Sequence, residues 1–336
     1  MATSSEPRSD AGGRDSIGSL AESAVLGRIV SRLPAVPGAE VGPGDDAAVV
    51  ASPDGRFVVT TDLMVHGPDF RLAWSRPDDL GWKAAATNLS DVAAMGARPT
   101  ALVVALAAPA GTDVAVLEGI ADGLREACAA LAPSCGVVGG DLSVSRTLTI
   151  AVTAFGDLAA RAPVLRSGAR PGDVIAHAGR RGDAARGLAL LFAKAVDDEG
   201  EPDRARAEAV RAAHADLVEA QLRPHPPVAA GVAAAIAGAS AMLDVSDGLA
   251  RDAARIASAS AVNLDFDSAA LGAADGPVVY GAEDHGLLAT FPAGAAIPDG
   301  FDVIGRVAHG DGVSVDGRPI EPVGWDPYED WDGGTG

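Results

Sequence analysis

Acidic residues fall at five places in the 336-residue chain where chemistry is a natural reading. Three follow short apolar runs: Thr60-Thr61-Asp62 after Phe57-Val58-Val59, Gly139-Gly140-Asp141 after Gly136-Val137-Val138, and Asp244-Val245-Ser246-Asp247-Gly248 after Ala241-Met242-Leu243. A fourth is Asp45-Asp46 inside VGPGDDAAVV (41–50), and the fifth is Asn88 with Asp91, three residues apart and so on one helix face. Ligands of α/β sheets bind outside the carboxyl ends of strands, so acids at strand ends face a site. Carboxylates brought to about 5 Å repel by roughly 3 kcal/mol per pair at an effective dielectric near 20, so they converge only around something positive. A hard divalent cation fits, Mg²⁺ above all when a phosphate supplies its remaining oxygen ligands.

Each locus also has a plain structural reading. Asp141 alone suits a helix cap or turn, Asp247 before Gly248 suits a turn, and Asp45 can cap its loop while Asp46 binds metal. The six histidines show no ligand spacing and read as surface or packing residues. Cys128 and Cys135 read as inert, and Lys83 as either a solvated helix residue or a phosphate contact.

Gly42, Gly44 and Ala47 imitate a G-x-G-x-x-A dinucleotide fingerprint, but SRLPAVPGAE before them is no strand, and two acids precede Ala47. Neither lysine, Lys83 or Lys194, sits in a phosphate-binding G-x-x-x-x-G-K-[ST] loop. The G-x-S-x-G nucleophile elbow and the H-R-D and D-F-G motifs of protein kinases are missing too.

Several elements must position the acids. RFVVTTD reads as a strand ending at Asp62, and PDDLGWKAAATNLSDVAAMGA as a helix with acids in its first turn, stopped by Gly96 and Pro99. TALVVALAA is a buried strand, followed by a helix capped by Thr112 or Asp113 and by two strands, CGVVGGD and TLTIAVTAFG. Past residue 160 a turn-rich connector, RAPVLRSGARPGD, leads to a second set in which SAMLDVSDGLARDAARIASAS reads as strand, acidic turn and helix. Strands alternating with helices in two halves predict a two-domain α/β or α+β protein: a tail over 1–16, an N-terminal domain over 17–158 and a C-terminal domain over 159–336.

The net charge of −20 argues against nucleic-acid or anionic-membrane partners. No apolar run approaches the roughly 18 residues of a membrane span, and the polar start has no apolar signal core. Two cysteines without C-x-x-C spacing suit a reducing cytoplasm. Of the 26 basic residues 24 are arginines, so a phosphate bound here needs some neutralising charge other than lysine.

In order along the chain, GPGDDAAVV, TTDLMVHGPDF, NLSDVAAMGARP, VGGD, RSGARPGD, GDAARGLA, LRPHPPV, LDVSDGLARD, GAED and WDPYEDW resemble the thiamine-monophosphate kinase family of the aminoimidazole ribonucleotide synthetase-like superfamily. The resemblance runs from about Gly18 to Trp331. It implies an N-terminal mixed sheet with helices that forms a homodimer interface, a C-terminal α/β domain, and sites in the cleft between them. It further implies several Mg²⁺ ions on Asp46, Thr60, Thr61, Asp62, Asp91, Asp141, Asp244 and Asp247, and ATP on Gly140, Asp141, Arg166 and Ser246. Thiamine monophosphate would meet Asp69, Glu283 and Tyr328. Three places depart from the family pattern: Ala282 in Gly281-Ala282-Glu283-Asp284, Leu142-Ser143-Val144 after Asp141, and Asp69 in place of a histidine.

The expected reaction is direct transfer of a phosphoryl group from ATP to the phosphate of thiamine monophosphate, with no general base because that oxygen is already nucleophilic. The alternatives are another ATP-using enzyme of the superfamily and a non-catalytic acidic metal-binding protein. A superfamily selenophosphate synthetase would carry a Cys and Lys near the N-terminus, and the hydrogenase-maturation protein a final Cys; this chain shows neither.

Overall fold

Small residues let the central helix of this protein be buried nearly all round, and the site is built on it. The structure, a computed structural model, describes residues 15–20, 22–41, 49–272 and 276–325. Its first part contains α1 (Glu22–Val30), β1 (Ala39–Val41), β2 (Val49–Val50), β3 (Val58–Val65), α2 (Pro77–Ala94), β4 (Arg98–Ala108), α3 (Val114–Leu131), β5 (Val137–Val144) and β6 (Thr149–Asp157). Then come β7 (Val174–Ala178), α4 (Asp183–Lys194), α5 (Arg204–Ala213), α6 (Ala215–Leu222), α7 (Val228–Ile236), β8 (Ala241–Val245) and α8 (Leu249–Ser260). The chain continues through β9 (Asn263–Phe266), α9 (Ser268–Leu271), α10 (Gly276–Tyr280), β10 (Gly286–Phe291), β11 (Phe301–Ala308), β12 (Gly312–Val315) and β13 (Arg318–Pro319).

Two large sheets take eleven of these strands, while β1 and β2 pair with each other. The four-stranded one runs β3-β6-β4-β5, antiparallel except for the parallel pair β4–β5. The seven-stranded one runs β13-β12-β9-β11-β7-β10-β8 and is antiparallel except for β12–β9. The alternation of strands and helices therefore folds into mixed sheets rather than a doubly wound parallel one.

Pro77 opens α2 with Asp78 and Asp79 in the first turn, where the helix dipole favours acids. The helix crosses α3 at backbone contact: a Cβ on Gly81 would stand 1.9 Å from the Ile120 carbonyl oxygen, and one on Gly123 2.0 Å from that of Asp78. Asp113 caps α3 by accepting from the Ala115 amide at 3.0 Å. The other sides of α2 meet β3 and β6, and also α7, β8 and β10, so it joins the two sheets. On the opposite face of the four-stranded sheet Val36, Ala39 and Val50 cover Ala101 and Val138, while the β3 side is open, with Phe57, Val59 and Leu63 each more than half exposed.

Candidate active site

Strand alternation sends Thr60 and Asp62 of β3 toward α2 and sends Thr61 to the open face. On α2, Lys83, Thr87 and Asp91 recur every four residues and so share one face. Thr60 Oγ1 donates to Asp91 Oδ2 at 2.7 Å, and the Asp62 amide donates to Asn88 Oδ1 at 3.2 Å. From the second sheet, Asp244 on β8 receives Ser90 Oγ at 3.2 Å and lies 3.4 Å from His285 Nδ1. Asp62, Asp91 and Asp244 thus converge from three elements.

Their electrostatics record the crowding. Burial, then the charges of Asp244 and Asp62, push the Asp91 carboxyl up to about 7. Burial also raises Asp62, with Asp244 and Asp247 adding to it and His285 opposing. Burial alone would raise Asp244, but the hydrogen bond and charge of His285 outweigh it and hold that carboxyl below its usual range. The same pairing raises His285 against its own burial. His285 was expected to be a packing residue; it is buried, and it is also the nearest counter-charge to the acids.

Among the described residues, no three His, Cys, Asp or Glu side chains stand where they could together hold a metal ion. The chemistry of the donors still suits magnesium: they are hard oxygens, and Asp91 is raised by burial and then by neighbouring like charges that a divalent cation would relieve.

The acidic loop after β8 is held from α8. Asp252, fully buried, accepts the amides of Ser246 and Asp247 at 2.9 Å each, and Arg255 Nη2 meets Asp247 Oδ2 at 2.6 Å. The Ser246 carbonyl accepts the Glu283 amide at 2.8 Å, which ties this loop to the 281–285 turn. In that turn Glu283 and His285 adopt left-handed φ of 71° and 53°. Ala282 does not, so alanine is accommodated where the family pattern has glycine. Asp284 accepts the amides of Gly182 and Ala184, fixing the start of α4.

Glu283 points into a cavity of about 230 Å³ between the β3–α2 connection, α4 and α6. Trp74, Leu188, Phe192 and Trp325 contribute apolar wall, and Asp69, Lys83 and Gln221 the polar groups. Lys83 Nζ meets Glu283 Oε1 at 2.6 Å, and Gln221 Nε2 donates to Glu283 Oε2. Burial works to raise Glu283, but the Lys83 charge wins and keeps it below the ordinary range. Lys83 is only 5% exposed, which overturns the solvated reading: a lone cation in an apolar helix is buried because it has a carboxylate to meet. Asp69 Oδ2 accepts the Val65 amide at 2.7 Å and so shapes the connection; burial, then Glu283, raise its carboxyl.

Other sequence-derived positions lie apart. The row Asp62–Val152–Val104–Gly140 crosses the whole first sheet, so Gly140 and Asp141 on β5 stand about 14 Å from β3 at the normal strand spacing. A single chain therefore does not bring Asp141 to the Asp91 cluster. β3 and β5 also run on past Asp62 and Asp141 to Val65 and Val144, so these acids are mid-strand rather than at strand ends. Leu142, Ser143 and Val144 continue the β4 pairing. Thr61 donates its hydroxyl to the Val152 carbonyl at 2.9 Å. Arg166 is exposed in the connector between the sheets. Asp46 and Tyr328 lie outside the described residues.

Ser90, Gln221, Asp252 and the pairing role of His285 escaped the sequence reading, and Lys83 was singled out without its carboxylate partner. Ser90 and Asp252 stand inside the motifs NLSD and LDVSDGLARD, and Lys83 is one of only two lysines. Gln221 carries no sequence signal.

Two mixed sheets sharing a helix, with an acidic cluster at their junction, define a particular class. Residues 44–158 match the family described as AIR synthase related protein, N-terminal domain. Over 331 residues the chain is 43% identical to a thiamine-monophosphate kinase of Mycobacterium tuberculosis, covering 93% of this chain and 91% of that protein. The crystal structure of thiamine-monophosphate kinase from Stenotrophomonas maltophilia superposes with a TM-score of 0.73 at 33% identity, over 90% of this chain and 98% of that one. The structure described as AaThiL complexed with AMPPCP and TMP gives 0.70 at 32% identity, over 82% and 88%. The chain belongs to the thiamine-monophosphate kinase family.

Proposed function

We propose that this protein transfers the terminal phosphoryl group of ATP directly to the phosphate of thiamine monophosphate, giving thiamine diphosphate and ADP. One observation carries the reading: α2 bears Lys83 in the small cavity and Asp91 in the acidic cluster, eight residues or about 12 Å along one helix face. A ring lodged in the cavity would extend its phosphate toward the acids. A cavity of about 230 Å³ walled by Trp74, Phe192 and Trp325 suits a heteroaromatic ring.

Asp62, Asp91 and Asp244 would hold magnesium, with Thr60, Asp247 and Asp46 as further ligands; Thr61, turned to the open face, and Asp141, three strands away, would serve other ions of the set. Bound there, magnesium neutralises charge on the phosphate oxygens. The chain's own residues position the rest. Asp69 and Glu283 stand on the wall of the cavity, which takes the pyrimidine, and would leave an acidic edge for the cationic thiazolium beyond it; Tyr328 would offer a stacking face. Gly140, Asp141, Arg166 and Ser246 receive ATP. No side chain is needed as a general base, because the accepting phosphate oxygen is anionic.

The open apolar face of the four-stranded sheet supports a homodimer through the domain 17–158, with 159–336 as the second domain. The cytoplasm is the compartment that suits two buried unpaired cysteines; among the described residues no helix is long and apolar enough to cross a membrane. Incubation with Mg-ATP and thiamine monophosphate tests the function: thiamine diphosphate is expected by chromatography. Folded protein that makes none refutes it.

A further inference from the structure

Three buried side-chain atoms among the described residues lack a hydrogen-bond partner: Arg161 Nε, His177 Nε2 and Gln221 Oε1. Of these residues only Gln221 lines the ring cavity. It is 3% exposed on α6, and its amide orientation follows from chemistry. Glu283, kept ionised by Lys83, can only accept, so the amide NH₂ must face it. The carbonyl oxygen is then left shielded from water with nothing to accept.

We infer that Gln221 is a specificity-determining residue whose Oε1 accepts a hydrogen bond from an exocyclic amino group on the substrate ring. This rests on the reading that the cavity takes the pyrimidine of thiamine monophosphate. The neighbouring polar groups agree with it. Lys83 Nζ is committed to Glu283, Asp69 offers a carboxylate, and the Arg71 guanidinium lies over the rings of Trp74 and Phe192, at 5.8 and 5.7 Å. Beside these cations the cavity presents the unpaired Gln221 Oε1 and the Asp69 carboxylate as acceptors for a ring amine. Replacing that amine by oxygen sets lone pair against lone pair and leaves both groups unsatisfied.

The test compares thiamine monophosphate with oxythiamine monophosphate, in which oxygen replaces the 4-amino group. Wild type should prefer the amine by roughly 10- to 100-fold in kcat/KM. Gln221→Leu and the near-isosteric Gln221→Met should narrow that preference to within about threefold, chiefly by losing the amine substrate. A preference unchanged in both variants overturns the inference, as does a wild type that does not discriminate. Calorimetric binding of thiamine and oxythiamine to wild type needs neither turnover nor a folded variant, and equal Kd values there also overturn it. Failure of the functional reading looks different: wild type then makes no thiamine diphosphate from thiamine monophosphate.

Discussion

Asp91→Asn should stabilise the metal-free protein while abolishing transfer. The Asp91 carboxyl titrates near 7 rather than 3.8 because it is buried beside Asp244 and Asp62. Its pKa is raised in the folded state, so the native protein holds this proton more tightly than the unfolded chain does. The contribution of Asp91 to stability is then greatest below about pH 4 and is lost as pH rises through about 7. Three units at about 1.36 kcal/mol each set an upper limit near 4 kcal/mol at pH 8; relaxation and water entry leave ~2–4 kcal/mol. At about 2.1 cal/mol/K of unfolding entropy per residue, that corresponds to a Tm rise of ~3–6 °C. Asparagine keeps an oxygen for the Thr60 hydroxyl, so the 2.7 Å contact can persist. Calorimetry in chelator at pH 8 and pH 5.5 reads the effect, and the gap between variant and wild type should about halve at the lower pH as wild-type Asp91 takes up its proton. Millimolar Mg²⁺ should raise the Tm of wild type more than that of the variant. A variant less stable than wild type at pH 8, or a gap independent of pH, refutes the reasoning.

Lys83→Met leaves Glu283 without its cation in a largely buried site; it should cost on the order of 3 kcal/mol in urea unfolding and raise KM for thiamine monophosphate. Asp252→Ala frees the Ser246 and Asp247 amides, so kcat should fall by roughly 10-fold or more with the fold retained, as read by steady-state kinetics beside circular dichroism. Leu63→Asp puts a charge on the open sheet face and should shift the protein to monomer in light scattering; an unchanged dimer would locate the interface elsewhere.

Local chemistry in the sequence determined much of this protein. Pro77 with two acids announces α2, Asp113 announces α3, and the acids of TTD, NLSD and DVSD announce an oxygen-rich site, because capping, periodicity and like-charge repulsion act over a few residues. The order of those motifs also pointed to the family. Only the tertiary structure decided which acids meet. Pleat alternation turned Thr61 away from Thr60 and Asp62, and sheet order placed Asp141 three strands from Asp62. It also decided the partners of the cations: Lys83 meets Glu283 across 200 residues of chain, and His285 meets Asp244, 41 residues away, from a turn whose left-handed backbone no local pattern shows. Burial and long-range Coulomb energy depend on elements far apart in the chain, so they become readable only when α2 is seen wedged between the two sheets.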